Sequence, residues 1–322
     1  MPKILANDGI DKSGKQILEA AGIQVETNKI AQEDLMKALN DFDGILVRSA
    51  TTVRKDLIDA CPNLKLIGRA GVGMDNIDVT YARDKGLKVI NTPEASSESV
   101  AELVFAHFFT MARCLHNSNR EMPSTTTKDR FNELKKVYSS GIELKGKTLG
   151  IIGFGNIGQA VARMGIGLGM HILPFKLRAE DVKIEIDIFR TVTDAKMVLT
   201  MKCVPFEKLL AESDFITLHV PFPKGAPAII GKRELEQMKN GVYLVNTARG
   251  GAVNETDLLE ALNSGKVTAA GLDVFENEPL IREELRIHPR VSLSPHIGGS
   301  TPEAQERIGI EIAQKIVAHF KN

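Results

Sequence analysis

Short apolar runs recur along the chain, each followed by a segment whose apolar positions repeat every three or four residues. In the first part the runs are Lys3–Ala6, Gln24–Thr27, Gly44–Val47, Leu64–Gly68 and Lys88–Asn91. The amphipathic stretches Gly14–Ala21, Glu33–Asn40 and Arg54–Ala60 lie between them. Such alternation predicts a parallel sheet with helices on both faces. The rhythm breaks at Thr92-Pro93. A long helix is expected to begin near Ser96–Ser99 and to run through Val100, Leu103, Val104, Phe105, Phe108, Phe109 and Leu115. Its apolar residues go most of the way round, so it should be buried, in part against a second subunit. Residues 118–145 are polar and read as an irregular arm or loop. At Lys147 a second βα series opens, with strands expected at His171–Phe175, Asp214–Val220, Gly241–Asn246, Val267–Asp273 and Val291–Ser294. A helix over Pro302–Phe320 closes the chain. Within this series Asp181–Cys203 alternates at Ile184, Ile186 and Ile188 and again at Met197 and Leu199, which predicts a hairpin.

Length and charge narrow the classes. With 322 residues, two α/β domains with sizeable cores are expected. Lys plus Arg and Asp plus Glu both number 41, so there is no broad field for nucleic acid or an anionic membrane. The apolar stretch Val100–Met111 is interrupted by Glu102 and His107 and does not read as membrane-spanning. An acid at Asp8 comes too early for a secretory signal, and Cys61, Cys114 and Cys203 form neither a CxxC motif nor a disulfide framework. A cytoplasmic protein with reduced thiols is the expectation. The seven histidines show no ligand spacing, so no metal is expected.

Two constellations carry chemistry. Gly153-Phe154-Gly155-Asn156-Ile157-Gly158 follows the apolar run 147–152 and precedes a helical stretch. In that context the glycines allow a tight turn, close approach of backbone to a pyrophosphate, and close helix–strand packing. The helix N terminus then offers N–H groups and partial positive charge to the phosphates. Farther on, Arg249, Glu278 and His296 each stand just past an apolar run, at the strand ends where open parallel sheets bind ligands. An Arg can hold a carboxylate with two hydrogen bonds, and a His beside a Glu can move a proton near neutral pH.

Over nearly its whole length the chain resembles D-isomer-specific 2-hydroxyacid dehydrogenases, most closely the D-3-phosphoglycerate branch. The resemblance is carried by Val47–Thr51, Gly68–Asp78, Ser99–Leu103, the glycine motif, Asn246–Gly251, Gly271–Pro279 and His296–Thr301. It implies a Rossmann-type doubly wound nucleotide domain over 98–297, inserted in a flavodoxin-like substrate domain formed by 1–97 and 298–322. It also implies NAD as cofactor and a homodimer built on the nucleotide domain. Arg249 would bind the substrate carboxylate, His296 would be the acid/base and Glu278 would hold its imidazole. Cofactor contacts would come from Gly153, Gly155, Asn156, Ile157, Gly158, Lys176, Val220, Pro221, Thr247, Ala248, Arg249, Asp273, His296, Gly298 and Gly299. Asp273 would orient the nicotinamide amide; a strand-end cap is its alternative reading. Substrate contacts would come from Arg48, Ser49, Arg69, Gly71, Val72, Gly73 and Ser96, with Arg48 and Arg69 suited to a substrate phosphate. A salt bridge is the alternative for either arginine.

One departure matters. Where the family has an acidic residue for the adenosine ribose, this chain has Lys176, with Arg178 close by. That admits NADP beside NAD. The resemblance favours NAD-linked oxidation of 3-phospho-D-glycerate, as in serine synthesis. A hydroxypyruvate, glyoxylate or glycerate reductase is the nearer alternative, and a dinucleotide-sensing corepressor the alternative of another class. About twenty residues follow the histidine loop, so no appended serine-binding domain is expected.

Overall fold

The computed structural model describes residues 1–178, 180–188, 195–223 and 225–321. The chain divides into two compact units, Met1–Ser99 with Gly299–Asn322, and Val100–Gly298.

In the first unit, β1 (Lys3–Ala6), β2 (Gln24–Glu26), β3 (Gly44–Val47), β4 (Leu66–Arg69) and β5 (Lys88–Asn91) form one parallel sheet in the order β2-β1-β3-β4-β5. This is the flavodoxin-like order, with its switch point between β1 and β3. The inner strands β1, β3 and β4 are apolar on both faces because both are covered, whereas the edge strand β2 is not buried. Leu5, Ile45, Val47 and Ile67 pack with Leu35 and Leu57 on one face. Ile4, Leu46 and Leu66 pack with Leu18, Ile308, Ile312 and Ile316 on the other. The last three belong to the closing helix Pro302–Lys321.

In the second unit, β6 (Thr148–Ile152), β7 (His171–Phe175), β10 (Phe215–Leu218), β11 (Val242–Asn246), β12 (Val267–Leu272) and β13 (Val291–Leu293) form a parallel sheet, ordered β13-β12-β11-β10-β6-β7. The order reverses between β6 and β10, beside the glycine motif. The remaining strands, β8 (Val182–Ile188) and β9 (Ala195–Met201), make the expected hairpin, antiparallel from Val182↔Met201 to Ile188↔Ala195. Ile184 is buried, and Val182, Leu199 and Met201 pack against the same core as the glycine-motif helix Asn156–Gly167. The tip of this expected hairpin, residues 189–194, lies outside the described residues.

Three readings are corrected. The long helix ends at Ala112 rather than running on to Leu115, because Cys114 takes a left-handed φ of 51° and a separate helix starts at Leu115. The polar stretch 118–145 is largely helical, not irregular: Leu115–Glu121 and Lys128–Val137 are helices. Thr127 caps the second by accepting the Arg130 N–H, and Glu121 ties the pair through Arg130 at 2.7 Å and the Tyr138 hydroxyl. The apolar set of the second helix, Phe131, Leu134 and Val137, buries only Leu134, so a side-chain cap and ion pairs carry much of the order. Glu33–Asn40 is broken into 3₁₀ turns around the short helix Leu35–Ala38.

Candidate active site

The glycine motif has the expected build. Gly153 ends β6 with φ at +97°, a conformation that suits glycine. A Cβ on Gly158 would stand 2.2 Å from the Gly153 carbonyl oxygen, so this glycine lets the helix start against the strand end. Gly155 faces open space, and no side chain caps the first turn of Asn156–Gly167. Room, a helix N terminus and missing side-chain caps together fit a pyrophosphate. Among the described residues, the buried Thr247 Oγ1 and His219 Nδ1 find no hydrogen-bond partner, and both follow the ends of adjacent strands. Polar atoms left this way call for a ligand or water, so the residues present fit a bound dinucleotide.

Arg249 stands three residues past β11. The Asn246 side chain folds over this loop, accepting the Ala248 N–H at 3.0 Å and donating to the Arg249 carbonyl at 3.0 Å. Gly250 is required by the neighbouring loop: a Cβ there would lie 1.7 Å from the Phe275 carbonyl oxygen. Asn246 and Gly250 thus set where the Arg249 backbone runs.

Glu278 and His296 are joined. His296 Nδ1 lies 2.9 Å from Glu278 Oε2, while Glu278 Oε1 accepts the Phe275 N–H at 2.9 Å. An ionised carboxylate only accepts, so Nδ1 is the donor and Nε2 is left as the atom that takes or gives a proton. The bond to Glu278 raises the His296 pKa, against burial, with help from Asp273 and opposition from Arg249. Burial would raise the Glu278 pKa, but the bonds from His296 and Phe275 and the charges of His296 and Arg249 together lower it. Arg249 therefore acts electrostatically on both members of the pair, and the three sequence-predicted residues form one group. The raised His296 pKa contributes stability that is present below the ordinary histidine pKa and lost as pH rises through the raised value.

Asp273 follows β12 and is buried. Its Oδ1 accepts the Ser294 hydroxyl at 2.6 Å and the Ile297 N–H at 2.9 Å, and its Oδ2 accepts the Gly298 N–H at 2.9 Å. The structure thus gives it the capping role, holding the loop that carries His296. That loop needs holding, since His296 itself has a left-handed φ of 54°. Sequence reading passed over Asn246 and Ser294 as site residues, although Asn246 opens a segment that carries the resemblance and Ser294 stands two residues before another.

At the end of β7, Lys176 pairs with Glu180 at 3.4 Å, both side chains exposed. A carboxylate is therefore present near this strand end, four positions later than expected. Val220 and Pro221 follow β10 by two and three residues.

The substrate candidates lie in the first unit. Arg48 and Ser49 follow β3, and Arg69 ends β4 in register with Val47, so the two arginines emerge from neighbouring strands. Asp8 accepts the Arg48 N–H at 2.7 Å and the Thr51 N–H at 3.0 Å, and Asn76 donates to the Arg48 carbonyl at 2.7 Å. Asn91 donates to the Val72 carbonyl at 2.7 Å, and the Thr92 N–H reaches the Gly71 carbonyl at 3.1 Å, fixing the loop through Gly73. Ser96 is buried. Among the described residues no carboxylate pairs with the Arg48 guanidinium.

Comparison with known proteins places the chain in a family. Residues 105–298 match the profile of the D-isomer specific 2-hydroxyacid dehydrogenase, NAD binding domain. A hydroxypyruvate reductase of Thermotoga maritima is 43% identical over 98% of this chain and 97% of its own length. A D-3-phosphoglycerate dehydrogenase of Methanocaldococcus jannaschii is 40% identical over 98% of this chain, which spans only 57% of that protein. The crystal structure of a glyoxylate reductase from Paecilomyes thermophila superposes with a TM-score of 0.82 at 29% identity, covering 100% of this chain and 96% of that one.

Proposed function

Since the chain belongs to the D-isomer specific 2-hydroxyacid dehydrogenase family, we propose that it interconverts a three-carbon D-2-hydroxy acid and its 2-oxo acid, with 3-phospho-D-glycerate as the preferred substrate. The nicotinamide cofactor supplies hydride transfer at C2 when bound. Arg249 binds the substrate carboxylate and polarises the C2 oxygen. His296 Nε2 takes the C2 hydroxyl proton in oxidation and returns it in reduction, while Glu278 holds Nδ1 and stabilises the imidazolium. Gly71, Val72 and Gly73 offer backbone N–H groups to the carboxylate. Arg48 and Arg69 take the phosphate, and Ser49 and Ser96 are further substrate contacts.

The observation that carries the phosphate assignment is Arg48, whose backbone is tied down by Asp8 and Asn76 while no described carboxylate takes its guanidinium. A side chain of that kind suits a dianion with two acceptor oxygens. The second reading, reduction of unphosphorylated hydroxypyruvate, is favoured by the Thermotoga maritima relative, matched end to end. Steady-state kinetics on phosphohydroxypyruvate and hydroxypyruvate separate them. Arg48→Ala should weaken the phosphorylated substrate by about 2 kcal/mol in kcat/KM, the scale of a charged hydrogen bond lost, and hydroxypyruvate much less. Equal losses on both substrates would reject the phosphate assignment.

For the cofactor we favour NAD, with weak discrimination against NADP because a cation, Lys176, follows the strand end assigned to the ribose and meets Glu180 only in an exposed contact at 3.4 Å. Gly153–Gly158 take the pyrophosphate, and Val220, Pro221, Thr247, Ala248, Asp273, Gly298 and Gly299 line the remainder. We also favour a homodimer through the nucleotide unit, because Phe109, Leu115, Phe131 and Val137 leave apolar side chains exposed on or beside the helical arm. Light scattering that returned the monomer mass at micromolar concentration would contradict it.

A further inference from the structure

His107 is buried in the second unit, and the chemistry above makes no use of it. It sits on the helix Ser97–Ala112 and is 4% exposed. Its Nδ1 lies 2.9 Å from Ser292 Oγ and its Nε2 3.0 Å from Ser294 Oγ. β12 makes room for it: a Cβ on Gly271 would fall 2.8 Å from the His107 Cβ.

The direction of these bonds follows from their far end. Ser294 Oγ is 2.6 Å from Asp273 Oδ1, and a carboxylate oxygen only accepts. The Ser294 proton therefore points to Asp273, and toward His107 the hydroxyl offers only lone pairs. His107 must carry its proton on Nε2. Burial disfavours a second proton, so Nδ1 is bare and accepts from Ser292. The chain runs one way, from Ser292 through His107 and Ser294 to Asp273. There it meets the N–H groups of Ile297 and Gly298, which share the same carboxylate. Those two amides follow His296 directly.

We propose that His107 is a positioning residue: by holding Ser294 as a donor it orients Asp273, and through Asp273 it fixes the backbone loop that carries His296. The catalytic consequence rests on the reading of His296 as the acid/base; the mechanical link does not. A histidine retained only to fill space would be replaced without loss by an apolar side chain of similar size.

Three measurements on the full-length protein decide it. Nitrogen-15 NMR of the wild type at neutral pH should find His107 as the neutral Nε2–H tautomer. The Nδ1–H tautomer, or a charged ring near neutral pH, would overturn the proposal without any variant. Hydrogen exchange should be about 10-fold faster at the Ile297 and Gly298 amides in His107→Leu, the effect of loosening one buried hydrogen bond. In the same variant kcat for 2-oxo acid reduction should fall about 10-fold, with the cofactor KM nearly unchanged, because a misplaced proton donor costs rate rather than binding. His107→Gln, which keeps a donor and an acceptor, should recover most of both. A folded Leu variant with wild-type exchange and kcat would refute the link. Faster exchange in a protein whose wild type turns over no 2-oxo acid would support the link and reject the functional reading instead.

Discussion

Around β11, β12 and β13 the functional loops hang on buried or half-buried hydrogen bonds. Asn246 braces the Arg249 loop, and Asp273 gathers Ser294, Ile297 and Gly298 beneath His296. At the end of β7 the picture is different: Lys176 meets Glu180 at 3.4 Å with both side chains exposed. The difference follows what each end must do. Proton and hydride transfer tolerate little misplacement, so under the proposed function the residues assigned to them need holding by groups whose own partners are fixed. Choosing between two cofactors needs only a difference in charge near one hydroxyl, and exposed charges suffice for a modest preference. The braced end should therefore be brittle to substitution and the exposed end tolerant.

The largest effect is expected at the braced end. His296→Asn should lower kcat by about 10²-fold or more, the range for losing a general acid/base, while cofactor binding is nearly kept. Stopped-flow reduction of hydroxypyruvate would measure it, and wild-type turnover would remove His296 from the chemistry. Gly250→Ala should come next. Its new Cβ meets the Phe275 carbonyl oxygen at 1.7 Å, so a backbone must move. A loss of about 1–3 kcal/mol in denaturant unfolding is expected, the usual cost of overpacking, with a drop in kcat as Arg249 shifts. An unchanged midpoint and rate would show that this loop is looser than its contacts imply. The smallest effect belongs to the exposed end. Lys176→Asp should raise the NAD over NADP preference by about 1 kcal/mol, the upper end for an exposed charge. An unaltered ratio of kcat/KM values would place Lys176 away from the ribose.

How far the sequence could be read follows the same division. Strands announce themselves as short apolar runs, buried inside the sheet or at its edge, so Lys3–Ala6, Gly44–Val47, Lys88–Asn91 and His171–Phe175 were legible to the residue. The proposed catalytic group was nominated from the sequence because Arg249, Glu278 and His296 each stand past such a run. The braces were not: His107 reads as an interruption in an apolar helix, and its partner Ser292 lies 185 positions away. Nothing local tells a buried polar residue with partners from one without. The helix Lys128–Val137 was missed for a related reason. Phe131, Leu134 and Val137 recur at helical spacing along it, but only Leu134 is buried, and the Thr127 cap and the Arg130–Glu121 pair add to the order.

The pH dependence of 2-oxo acid reduction in the wild type and in Glu278→Gln tests the central claim most directly. Reduction needs the His296 imidazolium, and the bond to Glu278 raises that pKa. In the wild type kcat/KM should fall only above the ordinary histidine value of about 6.5. In Glu278→Gln the fall should move to lower pH, because the carboxylate that stabilises the charged ring is gone. The same break in both proteins, or no break, would contradict a His296–Glu278 pair acting as the acid/base.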